Sequence, residues 1–95
     1  MKFTYNVLYV LSCDEGRFLK IGICKTDSVE RRIKNLQTGN PYKIDIEWVE
    51  DRTEANKAEK YLHRAFKDYR THGEWFEGIT LNDIRIKLML FLEQR

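Results

Sequence analysis

The chain has 95 residues, 42% of them hydrophobic, which is enough for one domain with one core and too little for two. Seventeen Lys and Arg against 15 Asp and Glu leave a formal net charge of +2, so a local basic patch is allowed but the balance neither requires nor excludes a nucleic-acid partner. No apolar run approaches the roughly 20 residues that span a bilayer. The segment Met1-Lys2-Phe3-Thr4-Tyr5-Asn6 also lacks a signal-peptide pattern, so we expect no membrane partner and a cytoplasmic location, bacterial or inside a host cell if the source is viral.

Val7-Leu8-Tyr9-Val10-Leu11 is short, apolar and rich in β-branched and aromatic residues, and the turn-prone Cys13-Asp14-Glu15-Gly16 separates it from a second such run. This predicts a hairpin. With those four residues as the loop, Ser12 faces Arg17, Tyr9 faces Lys20 and Val7 faces Gly22, the last two pairs on one side of the sheet. Lys20 and Gly22 suit the interior of an apolar strand poorly: a glycine there often marks a close approach to the backbone. Cys13 and Cys24, at unequal distances from the tip, lie roughly 20 Å apart in this arrangement at about 3.4 Å per residue, and are expected to be free thiols.

Asp27 or Ser28 can cap a helix that runs to about Gln37 and is ended by Gly39 and Asn40-Pro41. Val29, Ile33 and Leu36 form its inward stripe, with Arg32 roughly 65° and Arg31 roughly 155° from the stripe's centre, so only Arg32 is expected to lean toward the hairpin. Lys43 to Glu50 alternates at period two, which predicts a strand with one wet face. Thr53 is then expected to cap a long helix to about Tyr69, with Ala55, Ala58, Leu62, Ala65, Phe66 and Tyr69 inward and Lys57, Lys60, Arg64 and Lys67 outward. Glu59 falls roughly 70° from the centre of that stripe, at the edge of the buried surface, and His63 follows one turn later.

The stretch Arg70 to Gly78 reads as a loop or short turn, in which Trp75 and Phe76 anchor the chain to the core. Thr80 can cap a last helix with Leu81, Ile84, Leu88 and Phe91 inward. Ile86, Met89, Leu90 and Leu92 make that helix apolar over more than one face, so it is expected either to be deeply packed or to meet a second chain. The predicted fold class is α+β: a small three-stranded antiparallel sheet flanked by helices, in the order β-β-α-β-α-α. It forms one domain over 1–95, with a core at 5–78 and a C-terminal helix at 80–95.

Four groups stand out chemically: Tyr9 and Lys20 on the hairpin, Arg32 on the first helix and Glu59 on the second. A carboxylate can hold a hydrated magnesium ion, a guanidinium can grip a phosphate, and a phenol or amine can help take a proton from water, so together they suit phosphodiester hydrolysis. Their order and spacing resemble the GIY-YIG nuclease superfamily. The carriers are Val7-Leu8-Tyr9, Lys20-Ile21-Gly22 eleven residues after the tyrosine, Arg32, and Glu59 on a later helix. The Lys20-Ile21-Gly22 triplet, Leu36-Gln37-Thr38-Gly39-Asn40-Pro41, Leu62-His63 and Gly73-Glu74-Trp75-Phe76 are similar to the small branch typified by a bacteriophage T5 open reading frame, found in phages, bacteria and some eukaryotic viruses.

The resemblance implies a metal-dependent DNA endonuclease with a single-metal site. In it Glu59 binds Mg²⁺ or Mn²⁺, Arg32 holds the scissile phosphate, and Tyr9, helped by Lys20 or His63, activates water. Gly22, Lys34 and Glu74 complete the expected substrate contacts. The sequence departs from the superfamily pattern at Val7, where a glycine is usual, and in having no counterpart of a late asparagine. The expected partner is DNA, branched and single-stranded forms included, and the chain is expected to be a monomer or a homodimer through its C-terminal helix. Two alternatives stay open at this point: a catalytically inactive nucleic-acid-binding module, and a dimerising regulatory or interaction factor.

Overall fold

Asp14, Glu15 and Gly16 take successive positive φ angles of 53°, 55° and 86°, and the Arg17 amide donates to the Asp14 carbonyl at 3.0 Å. Left-handed residues at both centres of a tight turn match the twist of the strands it joins. In the computed structural model, which describes residues 6–51 and 54–93, this turn joins β1 (Asn6–Cys13) to β2 (Phe18–Lys25). The loop is therefore Asp14 to Arg17, one residue later than expected, and Cys13 rather than Ser12 begins the pairing. Tyr9 faces Gly22, Leu11 faces Lys20 and Val7 faces Cys24. The slip amounts to two residues, an even number, so Tyr9, Lys20 and Gly22 still share one face.

β3 (Asp45–Asp51) pairs antiparallel with the other side of β1, and its register shifts between Val10↔Trp48 and Leu11↔Ile46. The residue left over in this bulge is Glu47, whose carboxylate accepts from the buried Ser12 hydroxyl at 2.7 Å. A bulge moves later side chains to the opposite face. The expected single dry face of Ile44, Ile46 and Trp48 is thus broken: Trp48 packs with one core cluster, Ile44 with the other, and Ile46 is exposed.

The segment expected to be a loop contributes a fourth strand, β4 (Trp75–Glu77), paired with Phe18–Lys20 of β2. The sheet therefore has four antiparallel strands in the order β3-β1-β2-β4, not three. A three-residue strand between Gly73 and Gly78, both at positive φ, is too short to show periodicity.

Each sheet face has its own core. Tyr9, Leu11, Cys13 and Ile44 pack with Ile33 and Leu36 of α1 (Val29–Gln37). The helix follows a 3₁₀ turn at Thr26–Ser28. Ser28 occupies the N-cap position but makes no side-chain cap bond; its hydroxyl donates to Asp27 at 3.2 Å and accepts from Arg31 at 3.0 Å. After α1 the Gln37 amide clamps the loop, donating to the Tyr42 carbonyl at 2.9 Å and accepting from the Ile44 amide at 2.8 Å.

On the opposite face Leu8, Val10, Leu19, Ile21 and Phe76 meet Ala58, Leu62, Phe66, Ile84 and Leu88, carried by α2 (Ala55–Ala65), its C-terminal flank and α3 (Leu81–Glu93). α2 stops at Ala65 and gives way to a 3₁₀ turn at Lys67–Tyr69, so Ala65 and Tyr69 are exposed instead of continuing the buried stripe. The Thr53 cap expected for α2 lies outside the described residues, as do the outermost residues 1–5 and 94–95 of the expected domain.

α3 begins with a reciprocal cap: Thr80 Oγ1 accepts from the Asp83 amide at 3.1 Å, and the Asp83 carboxylate accepts from the Thr80 amide at 2.9 Å. Ile84 and Leu88 point inward as expected, whereas Ile86, Met89, Leu90 and Leu92 are exposed rather than deeply packed. Cys13 and Cys24 are free thiols, and among the described residues no helix is long and apolar enough to cross a membrane.

Phe76 is fully buried and meets Phe66 and His63 edge-on. Phe76→Ala is expected to cost about 3–5 kcal/mol of stability, read as a lower urea midpoint, because the cavity opens under the fully buried side chain by which β4 packs on the α2 and α3 side of the sheet.

Candidate active site at the edge of the sheet

β4 covers β2 only as far as Lys20. Beyond that point the outer edge of β2 has backbone groups that no strand answers, and partly buried groups of this kind must find partners elsewhere. The Ile21 amide donates to the Glu74 carbonyl at 3.4 Å. The Ile21 carbonyl accepts from His63 Nε2 at 2.8 Å, and the Ile23 backbone is hydrogen-bonded to the Glu59 carboxylate. Two polar residues one helical turn apart on α2 thus close the open edge of the sheet. A carbonyl can only accept, so Nε2 carries hydrogen and, in the neutral ring, Nδ1 carries the lone pair.

The glycine opposite Tyr9 has a steric explanation. A Cβ at position 22 would lie 2.5 Å from Tyr9 Cζ, well inside van der Waals contact, so the phenol ring can lie across the strand only because residue 22 has no side chain. Gly22 is therefore buried beneath Tyr9 and is not open to a substrate. Tyr9 itself is 1% exposed, and its hydroxyl accepts from Arg32 Nε at 3.4 Å. Burial raises the Tyr9 pKa above its ordinary value, and the nearby Glu74 carboxylate pushes the same way while Arg32 opposes both.

Lys20 is 5% exposed. Its ammonium donates to Glu74 at 3.0 Å and stands 5.7 Å from the Trp75 ring centroid, so the buried charge has a carboxylate and an aromatic face for company. Glu59 is half-buried. Burial first, then the neighbouring Glu74, raises its pKa, while His63, Lys20 and the Ile23 backbone pull it down less strongly. One donor atom of each of Glu59, His63 and Glu74 lies within 4.8 Å of the others. Two carboxylates facing one ammonium make an electrostatic well for a cation.

Tyr9, Lys20, Arg32, Glu59, His63 and Glu74 are thus drawn toward β2, Tyr9 and Arg32 on the α1 side and the others at its free edge. Lys34 is not part of this group: it is exposed on α1, and its carbonyl serves the helix end by accepting from Thr38. Arg31, expected to face away, instead lines an open groove of about 370 Å³ with Arg32, Lys25, Ser28, Asn35, Ile23 and Cys24. The helical-wheel position gave no sign of this, because the arginine reaches the groove through its long stem and its bond to Ser28. Cys24, beside Tyr9 and Arg32, also escaped notice; its pairing with Val7 depended on a register the sequence placed two residues away.

Fold and site together define a small α+β domain whose polar residues meet at the free edge of an antiparallel sheet. The chain belongs to the T5orf172 domain family, whose model matches residues 6–88. No curated protein and no solved structure matches it.

Gly22→Ala should force the Tyr9 ring from its place, lowering the melting temperature and altering the near-ultraviolet tyrosine signal; an unchanged spectrum and melting temperature would contradict this packing. Glu59→Gln should raise the melting temperature at neutral pH, since the native state then no longer holds a half-buried carboxylate near Glu74. The sign follows from the raised pKa: the native state binds the proton more tightly than the unfolded chain, so wild-type Glu59 costs stability above its native pKa and ceases to as pH falls through it. The advantage of the variant should therefore shrink on acidification in matched thermal melts.

Proposed function

We propose that this chain is a metal-dependent endonuclease that hydrolyses DNA phosphodiester bonds through a GIY-YIG-type site. The observation that carries this is the Arg32–Tyr9 hydrogen bond on the same strand pair whose edge brings Lys20, Glu59, His63 and Glu74 together. Membership of the T5orf172 domain family supports it, as does the sequence resemblance of these positions to the superfamily motifs.

The residues present fit a divalent cation. Glu59 is half-buried beside a second carboxylate, and the charge the pair shares exceeds what the single Lys20 ammonium neutralises. Mg²⁺ or Mn²⁺ at Glu59 would supply Lewis-acid stabilisation of the charge that develops on the phosphate and the leaving oxygen. Arg32 spends Nε on Tyr9 and keeps its terminal nitrogens for the non-bridging phosphate oxygens, a planar match that lysine cannot make.

Tyr9 is assigned the proton of the attacking water. Burial opposes the phenolate this requires, and Arg32 is the neighbour that offsets the opposition. Lys20, bonded to Glu74, brings positive charge to the site from beneath and holds that carboxylate in place. His63 fixes the edge of β2 against α2 and so sets where Glu59 stands. Gly22 acts through Tyr9 by making room for its ring.

Purified protein should nick or cut plasmid or branched DNA in Mg²⁺ or Mn²⁺, and Glu59→Ala, Arg32→Ala and Tyr9→Phe should each lose about 10²-fold or more in rate. Because burial holds the phenol protonated through neutrality, the wild-type rate should climb with pH and the Tyr9→Phe residue of activity should not. Equal cleavage by Glu59→Ala and wild type would reject the assigned site. Salt-sensitive DNA binding without metal-stimulated cutting would favour the inactive binding module instead.

A further inference from the structure

A GIY-YIG-type site of the kind proposed above needs one carboxylate for its cation, and this chain places more donors than that around one point. Building on the role given to Glu59, we propose that Glu74 and a ring nitrogen of His63 are further ligands of the same cation. This mixed oxygen and nitrogen set would take Mn²⁺ or another first-row transition ion ahead of Mg²⁺.

The spacing suits it. Around an ion with bonds of about 2.1 Å, adjacent donors sit roughly 3 Å apart and opposite donors about 4.2 Å apart. The trio, already within 4.8 Å of one another, stands close to that spacing. All three residues are partly buried, so their rotations are restrained by packing.

His63 is held as ligating imidazoles usually are. One ring N–H is committed to a backbone carbonyl, that of Ile21 at 2.8 Å, which fixes the ring plane and leaves the lone pair to the other nitrogen. Phe76 meets the ring edge-on at 5.0 Å and limits its swing. Glu74 is steadied by Lys20, which takes one carboxylate oxygen at 3.0 Å and leaves the second for the ion. Charge counting agrees, because two carboxylates and one ammonium leave one negative charge at the open edge, which favours a cation there.

The donor set decides the metal. Mg²⁺ prefers oxygen donors in a strict octahedron and gives up its waters reluctantly, whereas imidazole adds affinity for Mn²⁺, Fe²⁺, Co²⁺ and Zn²⁺.

Binding can be read without DNA, so failure of the nuclease assignment and failure of the ligand assignment are separable. Mn²⁺ titrated into the full chain and followed by electron paramagnetic resonance of the free ion should bind one per chain, with Mg²⁺ displacing it only at about tenfold excess or more. Glu74→Gln should weaken Mn²⁺ roughly ten- to hundredfold. His63→Gln keeps a donor for the Ile21 carbonyl but offers no ring nitrogen, and should weaken Mn²⁺ while leaving Mg²⁺ unchanged. Circular dichroism matched to the parent shows that both variants fold. Parent-like Mn²⁺ affinity in both variants, with loss only in Glu59→Gln, would overturn the three-ligand site while leaving the proposed function standing.

Discussion

A strand that is paired for three residues and then abandoned must have its remaining backbone groups satisfied by something other than a strand. That constraint, set where β4 stops alongside Lys20, organises the functional end of this domain. α2 belongs to the core on one face of the sheet, yet Glu59 and His63 turn to the edge because Ile21 and Ile23 require partners there. The same shortness of β4 frees Glu74, immediately before it, to bond the Ile21 amide with its backbone and Lys20 with its side chain. Groups from two faces and three elements therefore meet at one boundary without any of them leaving its own packing.

The two sides of the sheet contribute differently. On the α1 side the phenol is rigid, sealed between strands and helix, and the exposed Arg32 supplies reach. At the open edge the carboxylates are half-buried and mutually repelling, a state that native proteins tolerate where charge is to be met by something arriving from outside. The site is closely packed on the α1 side and carries an excess of negative charge at the open edge.

Much of this was legible in the sequence, for reasons tied to particular residues. The hairpin, α1 and α3 show through their periodicities, and Thr80 announces the α3 cap. Tyr9 and Lys20 stand out on the hairpin, Arg32 and Glu59 at the margins of their apolar stripes, and His63 one turn after Glu59. What stayed hidden depended on backbone detail. The exact turn residues shifted the hairpin by two positions, the bulge at Glu47 divided Ile44 from Trp48, and three residues of β4 carried no pattern. Ser28 looked like a cap and was drawn instead to Asp27 and Arg31. Arg31 reached the groove in spite of its wheel angle, since an angle measured at Cβ says little about where a long stem ends. Lys34 stands exposed on α1, apart from the residues gathered at the sheet edge.

The phenol of Tyr9 and the missing side chain of Gly22 occupy one volume between them, on facing strands. Neither can vary alone: a larger residue at 22 evicts the ring, and a smaller one at 9 leaves a void over bare backbone. The aromatic hydroxyl is in that sense a property of the hairpin's architecture, so chemical diversification of this scaffold would have to come through positions whose side chains are partly exposed, such as 63 and 74.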